Sequence, residues 1–285
     1  MLLRAIKNIY HQELNALYPI EEVNSFFYMM IEHYLKLERF ILVLQPEYVL
    51  TKKEETPLFA GIEKLKQEMP IQYILETAHF MDLDFTVNPN VLIPRPETEE
   101  LVRWILDEVD AKASINILDI GTGSGCIAIS LAKMLPNASL YALDVSEEVL
   151  AVAKKNSVVN NVTVSFLHND ILKEPILQQK FDIIVSNPPY VRVLEKEKMA
   201  NNVLDHEPGL ALFVSDENPL LFYNAITNFA IKHLKTNGNL YFETNQYLGK
   251  ETQALLEHQN FLAIELRKDM YGNDRMLKGK LKNKF

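Results

Sequence analysis

The stretch Ile115-Asn116-Ile117-Leu118-Asp119-Ile120-Gly121-Thr122-Gly123-Ser124-Gly125-Cys126-Ile127-Ala128-Ile129-Ser130-Leu131-Ala132 decides the fold. Its first residues, Ile115 to Asp119, are a short apolar run of strand length. Its last part continues as a helix over Ser124 to Leu135. Between them stand three glycines at alternate positions. Glycine takes turn conformations barred to other residues and lets a ligand lie close to the backbone, and the helix that follows offers free N–H groups at its start. Strand, tight turn and helix make the first half of a βαβ unit. Taken alone, the same turn also suits a plain strand–helix connection.

Working outward, the rhythm repeats. Strands are expected over Ser139 to Asp144, Thr163 to Leu167, Phe181 to Ser186, Asn239 to Thr244 and Phe261 to Leu266. Helices are expected over Ser146 to Asn156 and Pro219 to Leu234. A further helix over Glu97 to Val109 precedes them all, with Thr98 a possible N-cap. Short apolar strands alternating with helices predict an α/β domain built on a mostly parallel, doubly wound sheet over 94–285, with ligands beyond the carboxyl ends of its strands.

The N-terminal region differs. Leu2, Leu3, Ile6, Ile9, Tyr10, Leu14 and Leu17 recur at three-to-four-residue spacing, as do Val23, Phe26, Phe27, Met30, Tyr34 and Leu37, the pattern of amphipathic helices. Residues 1–75 therefore read as a small all-α docking domain. Near-alternation at Phe80, Leu83, Phe85 and Val87, with a turn signal at Asn88-Pro89-Asn90, predicts a β-hairpin linker over 76–93.

Two constellations carry chemistry. Asp144 ends its strand 19 positions after Gly125, where a carboxylate can accept both ribose hydroxyls of a nucleoside. It could also cap the next helix, although Ser146 can serve there. Asp170 follows the third strand and could receive an adenine amine or be a plain loop residue. The second constellation is Asn187-Pro188-Pro189-Tyr190, delivered by the strand FDIIVS. An amide nitrogen is a poor nucleophile because its lone pair is delocalised, and its N–H groups need acceptors that hold it in line. The Asn187 side-chain oxygen supplies one acceptor and the Pro188 carbonyl the other. The prolines fix that edge of the chain, and Tyr190 offers a flat face to a planar group.

With 48% hydrophobic and 24% charged residues the chain has an ordinary globular composition. One cysteine, Cys126, excludes a disulfide framework and indicates a reducing compartment; at the start of its helix it reads as a small core residue. The N-terminus lacks a secretory pattern, and no segment nears the roughly 20 apolar residues of a membrane span, so a cytoplasmic location is expected. The net charge of -9 weighs against a nucleic-acid partner, which asks for Lys and Arg. The seven histidines are dispersed and predict no metal site; His206 beside Glu207 is the nearest approach to one.

Five segments in order, PIQYI (70–74), LIPRPETE (92–99), ILDIGTGSGCIAISLA, IVSNPPYV and KDMYGNDR (268–275), resemble the HemK/PrmC family of peptide-chain release factor glutamine methyltransferases over nearly the whole chain. The resemblance implies a class I (Rossmann-like), seven-stranded methyltransferase domain with a helical N-terminal domain. It implies methyl transfer from S-adenosylmethionine, leaving S-adenosylhomocysteine, to the glutamine amide in the Gly-Gly-Gln motif of class I release factors, and so a role in translation termination. Carried over by motif, Gly121, Thr122, Gly123, Ser124, Gly125, Asp144, Asp170 and Ile171 would hold the cofactor. Asn187 would border both ligands, and Asn187, Pro188, Pro189 and Tyr190 would grip the glutamine. Some relatives have a tryptophan where this chain has Ile171. Arg95 and Glu97 fall within the second of these segments, the Glu207-Pro208 pair also resembles a family feature, and none of the three residues receives a role. An adenine-specific DNA methyltransferase would use the same clamp, since an exocyclic amine is also planar; it would need to extrude its base and grip phosphates, and no basic, target-reading region is evident. The ribosomal-protein glutamine methyltransferases share the clamp too, and a nucleoside-binding regulator is the non-enzymatic alternative.

Overall fold

The computed structural model describes residues 1–282, which fall into two compact units. The first comprises Met1–Glu76 together with Ala200–His206. It contains α1 (Leu3–Leu14), α2 (Ile20–Leu35), α3 (Ile41–Leu44), α4 (Lys52–Leu65) and α5 (Ile71–Leu75). The expected stripes are its core: Leu3, Ile6, Tyr10, Leu14, Phe27 and Met30 are fully buried. The helix α4 is longer than its buried apolar residues Leu58, Ile62 and Leu65 alone suggest because a reciprocal capping box starts it early. Thr51 accepts from the Glu54 N–H, and Glu54 accepts from the Thr51 N–H at 2.8 Å. Gly61 lets α4 pass close to α2, since a β-carbon there would collide with the Met30 side chain.

The second unit, Thr77–Met199 together with the described residues from Glu207 onward, opens with an antiparallel hairpin of β1 (Thr77–Phe80) and β2 (Leu83–Thr86). Its turn is Met81-Asp82, with φ of 49° and 59°, and not the Asn88-Pro89-Asn90 cluster, which forms a separate turn closed by Val91 N–H on the Asn88 carbonyl. Two left-handed residues match the twist of a two-residue hairpin. Met81 tolerates that conformation because its side chain is buried in the sheet's core and its N–H is held by Glu99 at 2.8 Å.

There follow α6 (Pro96–Glu108), β3 (Asn116–Ile120), α7 (Cys126–Met134), β4 (Ser139–Asp144), α8 (Glu147–Val159), β5 (Val164–His168), β6 (Phe181–Ser186), the short β7 (Val191–Arg192), α9 (Asn201–His206, within the first unit), α10 (Gly209–Leu212), the short β8 (Phe213–Val214), α11 (Leu221–His233), β9 (Leu234–Glu243), α12 (Gly249–His258), β10 (Phe261–Lys268) and β11 (Asp274–Leu281). The main sheet has seven strands in the order β10-β11-β9-β6-β3-β4-β5, parallel except where β11 runs against β10 and β9. β11 carries four charged residues among eight and gives no clear apolar run, so it escapes a reading by hydrophobicity. It is recruited by pairing between two stronger strands.

Neighbouring residues of the central strands face opposite ways. Ile117, Ile183, Val185 and Tyr241 enter one core with α6 and α7, while Leu118, Ile120, Ile184 and Phe242 enter the other with α11. Burial on both faces is the condition for a parallel sheet. The connections lead β3 to β4 and β5 on one side and β6 to β9 on the other, so the sequence order reverses between β3 and β6. A crevice opens at such a reversal, beyond the carboxyl ends of the strands. Among the described residues no helix is long and apolar enough to cross a membrane.

Gly125 is the tightest point of the loop after β3. Its φ is +83°, and a β-carbon would lie 2.8 Å from Ile129 Cδ1 and 3.2 Å from Ala153 Cβ. Gly125→Ala should lower stability by about 2–4 kcal/mol, from left-handed strain plus overpacking. The shift of the urea midpoint at constant m-value measures it; a change under about 0.5 kcal/mol would mean that the loop relaxes freely.

Candidate active site

The glycine loop is built on the end of β4. Gly121 and Thr122 both donate to the Leu143 carbonyl, at 2.8 and 3.1 Å, and Gly125 closes the turn on the Thr122 carbonyl at 2.9 Å. Gly121, Gly123 and Gly125 all have positive φ. A β-carbon on Gly123 would meet nothing within 4 Å, so the loop has open space in front of its middle. The Thr122 hydroxyl donates inward to Asp119 Oδ2 at 2.6 Å.

Asp144 stands at the rim of this loop and is nearly buried. Its Oδ2 accepts from the Gly123 N–H and its Oδ1 from the Ser146 N–H, both at 3.1 Å. Capping of α8 falls to Ser146, whose hydroxyl accepts from Val149. Asp144 is therefore free of that task, and each carboxylate oxygen keeps a lone pair for a further donor. Burial raises its pKa. Asp170 caps the short helix at Ile171–Lys173 by accepting from Leu172 at 2.9 Å, and Ile171 is buried against the α11-side core. Cys126 carries no activated thiol: burial pushes it up to about 12.

The tetrapeptide Asn187 to Tyr190 leaves β6 beside this loop. A β-carbon on Gly121 would come 4.0 Å from the Asn187 carbonyl oxygen, so the two motifs border one space. Pro188 is buried, and Asn187, Pro189 and Tyr190 are half-buried. The Asn187 side-chain NH2 donates to Thr98 Oγ1 at 3.2 Å. Thr98 donates to Glu243 Oε2 at 2.6 Å, and the Tyr190 hydroxyl donates to Glu243 Oε1 at 2.9 Å. Arg275, ion-paired with the buried Asp269, reaches the Tyr190 hydroxyl at 3.4 Å. The Tyr190 carbonyl is held by Asn245 Nδ2 at 2.9 Å.

Several of these roles differ from the sequence reading. The N-cap of α6 is Arg95, with Pro96 at its first position, and Thr98 lies a turn further in. There it cannot cap, and its hydroxyl turns to Glu243. Tyr190 brings its hydroxyl to the site as well as its face. Glu243, 2% exposed, was missed, although a carboxylate ending an apolar strand is the same signal that singled out Asp144. Arg95 and Glu207 form an ion pair, and Glu207 also accepts from the Ile93 N–H at 3.3 Å; together they anchor the IPRPETE segment. His206 bonds instead to the Gln67 carbonyl at 2.8 Å, so the two adjacent residues serve different structures.

Comparison with known proteins agrees with this arrangement. Residues 11–75 match the PrmC N-terminal domain and residues 98–208 the methyltransferase small domain. The chain is 52% identical to a release factor glutamine methyltransferase of Flavobacterium psychrophilum, over 98% of this chain and 99% of that protein. It belongs to the release factor glutamine methyltransferase family. A family member from Bacteroides thetaiotaomicron is 43% identical over 93% of this chain and 95% of its own length. The fold extends further: a 16S rRNA N2 G1207 methyltransferase of Thermus thermophilus superposes with a TM-score of 0.53 at 20% identity, covering 72% of this chain and 50% of that one.

The methyl donor of a glutamine methyltransferase of this kind is S-adenosylmethionine, and the pocket residues fit it. Asp119 Oδ1 and Ser124 Oγ are buried without a partner, a costly state for polar atoms. Both lie on the segment that frames the open space before Gly123. An amino-acid end bearing an ammonium suits a carboxylate and a hydroxyl, and a ribose suits Asp144.

Burial pushes the Asp119 carboxyl from 3.8 up to about 7, with the nearby Asp144 adding to the rise and the Thr122 hydroxyl opposing it. A carboxyl whose folded pKa is raised contributes stability that is complete below its unfolded value and lost as pH climbs through the folded one. The ligand-free protein should therefore lose stability between pH ~4 and ~7 relative to Asp119→Asn, with no further divergence above that window. Parallel urea midpoints of the two proteins across that range would contradict this assignment.

Proposed function

We propose that this chain transfers the methyl group of S-adenosylmethionine to the side-chain amide nitrogen of the glutamine in the Gly-Gly-Gln motif of class I peptide-chain release factors. It acts in the cytoplasm and modulates translation termination. The observation that carries the reading is the common border of the two motifs, with Asn187 beside Gly121. One crevice thus offers a nucleoside-binding loop and a pair of acceptors for a planar N–H group. In this reading Gly121, Thr122, Gly123, Ser124, Gly125, Asp144, Asp170 and Ile171 hold the cofactor, with Asp170 and Ile171 at the adenine. Asn187, Pro188, Pro189 and Tyr190 hold the glutamine. The helical residues 1–75 dock the protein substrate, the hairpin within 76–93 links them to the catalytic residues 94–285, and no DNA or membrane takes part.

The cofactor supplies a methyl group already activated on a sulfonium. The chain supplies alignment. The Asn187 side-chain oxygen and the Pro188 carbonyl accept the two amide N–H groups, which turns the nitrogen's weak lone pair towards the methyl. Positioning and pre-set dipoles lower the barrier to such a displacement without a covalent intermediate. The leaving proton passes to solvent, because methylation makes the amide N–H strongly acidic.

The test is labelled S-adenosylmethionine incubated with a class I release factor, a ribosomal protein or DNA. Label should enter the release factor and vanish when its tip glutamine is replaced; label in DNA adenine with an unmodified release factor would sink the reading. Asn187→Ala should lower kcat by roughly 10²–10³-fold, as loss of one well-placed polar group does, with the cofactor Kd changed by less than about fivefold.

A further inference from the structure

We propose that Glu243, acting through Thr98, is a positioning residue that fixes which end of the Asn187 carboxamide faces the methyl acceptor. The inference rests on the proposed use of Asn187 as a hydrogen-bond acceptor for the substrate N–H.

A carboxamide has two ends of almost equal size and opposite polarity. With its nitrogen towards the substrate, Asn187 would set donor against donor and repel the amide it should hold. Something must therefore decide between two rotamers that packing alone hardly separates. Among the described residues the Asn187 side chain takes its polar partner in the Thr98 hydroxyl, at 3.2 Å, and a hydroxyl can either donate or accept. Its choice is made elsewhere. Thr98 has one proton and spends it on Glu243 Oε2 at 2.6 Å, leaving only lone pairs for Asn187. The Asn187 NH2 must then point to Thr98, and its oxygen is turned the other way.

Glu243 can set this direction because it only accepts. Its other oxygen takes the Tyr190 proton at 2.9 Å, so one carboxylate orients the first and last residues of the acceptor tetrapeptide. Arg275, which reaches the Tyr190 hydroxyl, adds a positive charge that favours the ionised form against the burial that raises the carboxyl's pKa. The topology explains the placement. β9 lies parallel to β6 with Phe242 opposite Ser186, so the residue after each, Glu243 and Asn187, arrives at the same level of the sheet edge. Thr98 comes from the first turn of α6. A tether between helix and sheet alone would not require a buried carboxylate, which is expensive to desolvate; a fixed donor direction does require a group that cannot donate.

Isosteric variants separate direction from packing. In Glu243→Gln the amide can place an NH2 against Thr98, whose proton is then free for Asn187, and the carboxamide can invert. In Thr98→Val the relay is cut at equal volume. Both should lower kcat for the release factor by roughly 10²-fold, with the cofactor Kd and the release-factor KM each changed by less than about threefold. The double variant should be no worse than the single ones, since residues on one path are not additive. Thr98→Ser keeps the hydroxyl and should stay within about threefold of the parent. The side-chain amide signals of 15N-asparagine-labelled protein, with the Asn187 pair assigned by its loss in Asn187→Ala, supply a readout free of turnover. That pair should shift in Glu243→Gln and Thr98→Val and hold its position in Thr98→Ser. The proposal is overturned if Thr98→Ser behaves like Thr98→Val, if the loss lies in cofactor affinity, or if the Asn187 signals do not move. A parent protein that labels no release factor would instead overturn the proposed function, while the amide signals still decide the relay.

Discussion

The arrangement depends on two parallel strands, β3 and β6, lying side by side and ending at the same edge. Parallel neighbours bring their carboxyl ends to one level, and the reversal of strand order between them keeps the following loops from covering one another. Everything chemical is hung from those two ends: the glycine loop from β3 and Asn187 to Tyr190 from β6. The flanking strands each add one carboxylate at the same height, Asp144 from β4 and Glu243 from β9. No long loop has to be folded precisely to bring the two motifs together, because the hydrogen-bond register of the sheet already does so.

That register requires burial on both faces, which is why so much of the fold was legible in the sequence. Ser139 to Asp144 and Phe181 to Ser186 are strands over those residues, because short apolar runs bounded by polar residues have little choice in a two-sided core. The α6 to α8 helices were legible to within a few residues for the same reason. What was not legible follows from physics that is not local. β11 is held by its neighbours and not by its own composition. The hairpin turn at Met81-Asp82 has no glycine or asparagine because Glu99 and the buried Met81 side chain hold it from outside. Residues 200–206 join the first unit although they lie deep within the sequence of the second, a fact no periodicity reports.

The site divides in the same way. Asn187, Asp144 and the glycines stand in local patterns whose chemistry can be read in order along the chain. Glu243 and Thr98 are separated by 145 positions, and their partnership exists only once β9 and α6 are packed. Thr98 even carried a misleading local signal, since a threonine at the start of a helical pattern resembles a cap. Arg275 stood within a family-like segment, and its pairing with Asp269 and its approach to Tyr190 give that position a physical meaning.

The sheet edge also carries an electrostatic cost that fits its proposed task. Asp119, Asp144 and Glu243 are all buried, and burial raises each of their pKa values. Arg275 and the hydroxyls of Thr98 and Tyr190 satisfy Glu243, but Asp119 keeps one oxygen without a partner and sits close enough to Asp144 for each to oppose the other's charge. Such an edge is short of positive charge until a cationic ligand arrives, and favourable interaction with that ligand is strengthened by the same exclusion of water that makes the empty site costly. Under the proposed reaction the ligand surrenders one positive charge on transfer, since a sulfonium becomes a neutral thioether. The carboxylates then lose part of what balanced them, so the edge that draws the donor in holds the product less strongly.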